Sequence, residues 1–210
     1  MARYRGPVCR LYRREGKDLL LKSPRSAAHR RVMERLTTPP GQHGAARVRK
    51  MSTYGIQLRE KQALRRMYGI LERQFRRYFE RADSYRGVTG TVLLQLLERR
   101  LDNVVYRAGF AVTRTQARQL VSHKHILVNG KHVNIPSYEV RVGDVISVKP
   151  QSRELAPVVN ALGMWKSLGR KSWIQFDEEN CSATFKAIPE RDDLDDVTIR
   201  EQLIVELYSK

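Results

Sequence analysis

The chain has 210 residues and a mass of 24.4 kDa, enough for one large or two modest domains with real cores. Forty Lys plus Arg against 22 Asp plus Glu leave a formal charge of +18 and a pI near 10.4, the footprint of a polyanion binder. No apolar run approaches the roughly 20 residues that span a bilayer and no charged-then-apolar leader is present, so the expectation is a cytoplasmic protein with no membrane partner; two cysteines give no disulfide framework.

Residues 1–50 are poor in apolar side chains and rich in Arg, Gly and Pro, with one short helical candidate around Ala27 to Leu36. Such a segment buries too little surface to offset its ordering entropy, so residues 1–45 are expected to form an extended basic arm that is fixed only against nucleic acid. From Leu58 to Tyr85 an apolar stripe of Leu64, Met67, Leu71, Phe75 and Tyr78 alternates with Arg65, Arg66, Arg73, Arg76, Arg77 and Arg81, which predicts an amphipathic helix with a basic outer face. Ser84 to Gly90 reads as a linker, and Thr89 as the N-cap of a third helix, TVLLQLLERR.

The stretch from Arg99 to Lys149 is the most informative. Leu101, Val104, Val105 and Ala108 recur at helical spacing, and Gly109 follows where a helix end wants positive φ. Thr113 with Gln116 forms a capping box that opens a second helix, whose inner face is Ala117, Leu120 and Val121; this leaves Arg114, Arg118 and Lys124 pointing outward. Ile126-Leu127-Val128, a turn at Asn129-Gly130 and a return through His132-Val133-Asn134-Ile135 predict a hairpin. Further on, Val158, Val159, Leu162, Trp165 and Leu168 predict a helix that starts near Pro157. Trp173–Phe176 and Ala183–Lys186 read as paired strands, and Thr198–Tyr208 as a short helix, with LIVEL open to a strand reading.

Charge is uneven along the chain. Residues 1–90 carry 23 basic and 7 acidic side chains, residues 91–150 carry 9 and 4, and residues 151–210 carry 8 and 11. A nucleic acid is therefore expected to meet the first two thirds, and the acidic end to face solvent or a basic protein. Tyr4, Tyr12 and Tyr54 lie in basic, apolar-poor surroundings suited to stacking on exposed bases, whereas Tyr68, Phe75, Phe79 and Tyr106 fall on apolar helical faces and are expected in the core.

Chemical sites compare poorly with blander readings. His123 and His125 lack neighbouring carboxylates and suit RNA or backbone contacts better than a metal, and His43 suits a phosphate or a turn. The run Asp192-Asp193-Leu194-Asp195-Asp196 lacks the Gly and the distal Glu of a calcium loop, so a solvated acidic turn is expected. No Gly-rich phosphate cradle, nucleophile elbow or paired-acid constellation occurs, so no catalytic residue, cofactor, metal or small-molecule substrate is assigned.

The helix-turn-hairpin order at 99–149 resembles the small RNA-binding module named after the fourth protein of the small ribosomal subunit. The flanks resemble the bacterial ribosomal family itself: MARYRGP at the start, RREGKDLLLKS at 13–23, PGQHG at 40–44, YGIQLREKQALRRMYGILERQFRRYF at 54–79, then TFKAIPERDDL and EQLIVELYSK. Some relatives carry a four-cysteine zinc motif that begins at the position of Cys9. Here its second position is Tyr12 and the next Cys is Cys181, so the four ligands of a structural zinc site are lacking. The resemblance implies an α+β fold: a helical domain over 46–98, joined by 195–210, and the RNA-binding module with extra strands over 99–190. It further implies early binding to 16S ribosomal RNA at a multi-helix junction and a contribution to translational accuracy. The RNA contacts then expected are Arg3, Arg13, Arg14, Arg65, Arg66, Arg73, Arg76, Arg77, Arg100, Arg114, Arg118, His123, Lys124 and Lys131. By position, Arg47, Arg49 and Lys50 align with basic residues near the channel through which messenger RNA enters. Glu201, Gln202 and Glu206 would face the fifth small-subunit protein. The alternatives are an RNA-modifying enzyme, which needs a catalytic domain for which the chain has no room, and a DNA-binding helix-turn-helix regulator, which needs a dimerisation element.

Overall fold

The computed structural model describes residues 3–44, 46, 50–194 and 198–209. Contacts divide the chain into two compact units, 1–93 with 196–210 and 94–195. Among the described residues, nine α-helices and five strands make an α+β fold.

In the first unit, α1 (Val8–Glu15) and α2 (Ala27–Met33) come from the segment expected to be an arm. Sequence pattern foretold only α2, and the reason α1 forms is Tyr12. Its ring is fully buried, and its hydroxyl accepts from the backbone N–H groups of Leu21 and Lys22 at 2.6 and 2.8 Å, so the loop after α1 folds back onto the phenol. Tyr12 is thus a core residue and not a stacking platform, while Tyr4 and Tyr54 are exposed. Ser26 caps α2 by accepting from the His29 N–H.

The helix expected over 58–85 is two helices, α3 (Thr53–Met67) and α4 (Glu72–Ser84). The break lies at Gly69, with φ of 64°, where the Ile70 N–H bonds the Arg65 carbonyl and the Gly69 N–H bonds the Arg66 carbonyl. These are the two crossed bonds of a Schellman end. Leu71 consequently leaves the apolar stripe and is 39% exposed, whereas Leu64, Met67, Phe75, Tyr78 and Phe79 stay buried. The next helix, α5 (Thr89–Glu98), has Thr89 as its first helical residue and not as its cap. LIVEL is helical, within α9 (Glu201–Tyr208), which packs on α3, where Gln57 donates to Glu206 at 2.8 Å, and whose Tyr208 stacks on Phe79 of α4 at 4.5 Å.

The second unit begins within α5 and continues through α6 (Leu101–Arg107) and α7 (Arg114–Ser122). Gly109, with φ of 89°, ends α6, and a Cβ there would lie 3.0 Å from the Trp165 side chain. Thr113 caps α7 by accepting from the Gln116 N–H, while the Gln116 side chain accepts from Val112 N–H, one residue earlier than in the usual capping box. α7 closes in a Schellman end as well, with His125 N–H bonded to the Leu120 carbonyl and Lys124 N–H to that of Val121. Its left-handed residue is Lys124, with φ of 62°.

A five-stranded antiparallel sheet in the order β2-β1-β3-β5-β4 completes this unit: β1 (Ile126–Val128), β2 (Lys131–His132), β3 (Val145–Val148), β4 (Ile174–Asp177) and β5 (Ser182–Phe185). Asn129 and Gly130 both take positive φ, as a two-residue hairpin turn requires. β2 stops at His132, short of the expected Ile135, which is exposed and precedes Pro136, a residue with no N–H to donate. α8 (Ala156–Leu168) buries Val158, Ala161 and Met164, while Val159 and Leu168, which helped to predict the helix, are about half exposed.

Candidate nucleic-acid interface

α4 sets Arg73, Arg76 and Arg77 on its solvent side, opposite buried Phe75, Tyr78, Phe79 and Ala82. The spacing of three and four residues makes them neighbours on one face. Arg76 shares that face with Glu80, their charged groups 3.0 Å apart with both side chains largely exposed, a pairing that water screens heavily. Arg3 and Arg14 are exposed too. In the second unit His123, Lys124 and Lys131 are exposed, the first two at the end of α7 and the third in the hairpin. Among the described residues the Lys124 ammonium has no hydrogen-bond or ion-pair partner. His125 is half-buried, its Nδ1 2.9 Å from the Ser152 hydroxyl.

Six of the expected contacts turn inward. Arg114 and Arg118 are 6% and 7% exposed, not outward as their helix pattern suggested. They share a face with Ala117 and Val121, since positions 114, 117, 118 and 121 follow helical periodicity, and buried acceptors lie opposite. Arg114 Nε donates to Asn103 at 2.8 Å and its guanidinium lies 4.7 Å from the Tyr106 ring centroid. Arg118 and Arg100 both reach Asp102, Arg100 through two bonds of 3.1 and 2.9 Å. Beside them the Glu98 carboxylate accepts from Arg107 at 2.7 and 2.9 Å and from Asn103 at 2.6 Å. Arg100 is 1% exposed, so this cluster is a buried polar network that orients α6 and α7. Sequence reasoning missed its acidic half; the available signal was Glu98 and Asp102 standing within apolar helical runs.

In the first unit Arg13 donates to the carbonyls of Thr38 and Pro39 at 2.8 and 2.9 Å. Arg66 and Arg59 both donate to the fully buried Glu15. Burial pushes the Glu15 carboxyl above its ordinary value despite Arg66 and Arg59, and lowers Arg66 for the same reason, so this pair is incompletely compensated. Arg65 lies 3.4 Å from Glu72. Burial raises the Glu72 carboxyl, but hydrogen bonds from Lys61 and Tyr208 outweigh it and leave Glu72 below the usual range. Tyr208 is raised by burial and by its bond to Glu72.

Of the residues expected near the messenger channel, Lys50 is exposed, and Arg47 and Arg49 lie outside the described residues. Of the acidic-end candidates, Gln202 is exposed, Glu201 is half-buried, and Glu206 is exposed with its carboxylate bonded to Gln57. Asp192–Leu194 form a short 3-10 turn, and Asp195 and Asp196 lie outside the described residues. Among the described residues no helix is long and apolar enough to cross a membrane, and no group of three or more His, Cys, Asp or Glu side chains is placed to hold a metal ion.

Residues 3–98 match the model of the ribosomal protein S4/S9 N-terminal domain, and residues 99–146 match the S4 domain. The chain is 56% identical to small ribosomal subunit protein uS4 of Chromobacterium violaceum and to that of Hahella chejuensis, and 54% identical to that of Neisseria meningitidis. Each alignment covers the whole of both chains over 210 residues.

Proposed function

The chain belongs to the family of small ribosomal subunit protein uS4, and we propose that it is a structural constituent of the small subunit that binds 16S ribosomal RNA directly and early, holding a multi-helix junction. Its role is structural and RNA-binding, not enzymatic. The observation that carries the reading is the sorting of cations: Arg73, Arg76 and Arg77 on α4, with Lys124 and Lys131 in the module, stand in solvent, whereas Arg100, Arg107 and Arg118 are buried against Asp102 and Glu98. Exposed cations on rigid elements neutralise phosphates and release counterions where RNA helices crowd together. Specificity then comes from junction shape, because side chains cannot read the deep, narrow groove of A-form RNA.

The same reading gives the fold three finer roles. Lys50, with Arg47 and Arg49, borders the path of incoming messenger RNA. The α9 surface around Glu201, Gln202 and Glu206 meets the fifth small-subunit protein, and this contact contributes to translational accuracy; Gln202 is the candidate there that is exposed with its side chain uncommitted to α3. The working location is the cytoplasmic ribosome. Crosslinking in cell lysate followed by sequencing of the attached RNA tests the proposal: 16S ribosomal RNA is expected to dominate, and recovery chiefly of transfer RNA or of DNA would overturn it.

A further inference from the structure

We propose that the first unit carries a pocket for a single unpaired RNA nucleotide, between α1 and α2; this rests on the RNA-binding reading above. The cavity has a volume of about 560 Å³, inside the range of roughly 300–1,000 Å³ typical of small-molecule sites. Ala28, the buried Val32 and Cys9 give it an apolar wall. Arg13 lines it with a guanidinium already held by the Thr38 and Pro39 carbonyls, a fixed plane on which a base can stack. Lys22, Arg31 and Arg35 supply the cations for the flanking phosphates. Glu34, also in the lining, accepts from the amino edge of a base and repels a phosphate that enters alone. A base inside with its phosphates at the rim satisfies all of these groups, and a duplex, whose bases are paired and stacked, cannot supply it.

Cys9 reports on occupancy. Cys9 and Cys181 are the chain's two thiols, both half-buried and free, so the full chain carrying Cys181→Ser leaves Cys9 as the sole target of N-ethylmaleimide. A saturating single-stranded RNA hexamer should slow Cys9 alkylation at least tenfold, and a blunt RNA duplex or inorganic phosphate at the same concentration should change it less than twofold. Ala28→Trp fills the cavity from an exposed position on α2. It should raise the hexamer's Kd at least tenfold by fluorescence anisotropy with Tm unchanged. Equal protection by duplex or by phosphate overturns the pocket. So does unaltered Cys9 reactivity in a chain that still retains a 16S fragment on a filter, and in that case the RNA-binding role stands. Failure to bind both the hexamer and the 16S fragment overturns the broader reading along with the pocket.

Discussion

On α4, Arg73, Arg76 and Arg77 stand in solvent with one exposed glutamate for company, whereas in the second unit Arg100, Arg107, Arg114 and Arg118 are 1–7% exposed around Glu98, Asp102 and Asn103. The residue type is the same and the physics is opposite. An exposed guanidinium is hydrated, exchanges partners freely and adds little to stability, so its charge is available to a phosphate. A buried one has lost its water and is tolerable only while its carboxylate stays in place. Helical spacing tells which side chains share a face, but the presence of a buried acceptor decides whether an arginine on that face turns in or out.

Removing an acceptor should therefore have the largest effect. Glu98→Ala leaves Arg107 buried without its carboxylate, and the loss expected is about 3–5 kcal/mol, read by thermal unfolding. A stability close to the parent's would show that the buried network contributes nothing and would erase the contrast with α4. Slightly smaller is the apolar truncation Leu120→Ala, at a position 6% exposed, which should lose ~2–5 kcal/mol by leaving a cavity. Parent-like circular dichroism and melting in that variant would contradict the packing of α7.

Glu15 offers a third test, because it is a buried carboxylate in the unit otherwise marked by exposed cations. Its carboxyl is raised by burial, so the native state holds its proton to higher pH than the unfolded chain does. The cost of ionising it in the fold is absent below the unfolded value and grows as pH rises from about 4.5 through the raised native value. Glu15→Gln should remove that cost, so a plot of variant minus parent Tm should climb over this window and then flatten. Glu72 has the opposite sign: its lowered value contributes stability above 4.5 that is lost as pH falls through the native value, so Glu72→Gln should lose most at neutral pH. Parallel pH curves for Glu15→Gln and the parent would sink the assignment.

The smallest changes in stability, and the sharpest test of the comparison, come from the arginines themselves. Arg77→Ala should leave Tm almost unmoved and reduce the slope of log binding constant against log salt by about 1. Arg118→Ala should lower Tm, because Asp102 then loses one of its two guanidinium partners. If both variants changed the slope alike with no change in Tm, inward and outward arginines would be equivalent after all.

Much of the second unit was legible because short-range chemistry dictates it. Thr113 with Gln116, Gly109 and the Asn129-Gly130 turn each act within four residues. What was not legible depends on partners far along the chain or on tertiary context. The inward turn of Arg118 depends on Asp102, and the burial of Tyr12 on a loop that returns to its hydroxyl. The break at Gly69 was hidden by an unbroken apolar stripe, whose phase survives the interruption for Phe75 and Tyr78 and fails for Leu71. The candidate interface was half legible: the basic face of α4 was read correctly from spacing, and the buried arginines were not.

Among the described residues three helices end in the same crossed pair of hydrogen bonds, and two of them use glycine, Gly69 and Gly109, at the left-handed position. The third uses Lys124, which a glycine would relieve of a steric penalty on the order of 1 kcal/mol. A library of random variants sorted only for heat resistance should therefore recover Lys124→Gly, and one sorted for growth through active ribosomes should discard it. That pair of outcomes would show tolerance to heat traded for a charge held at a fixed point in space.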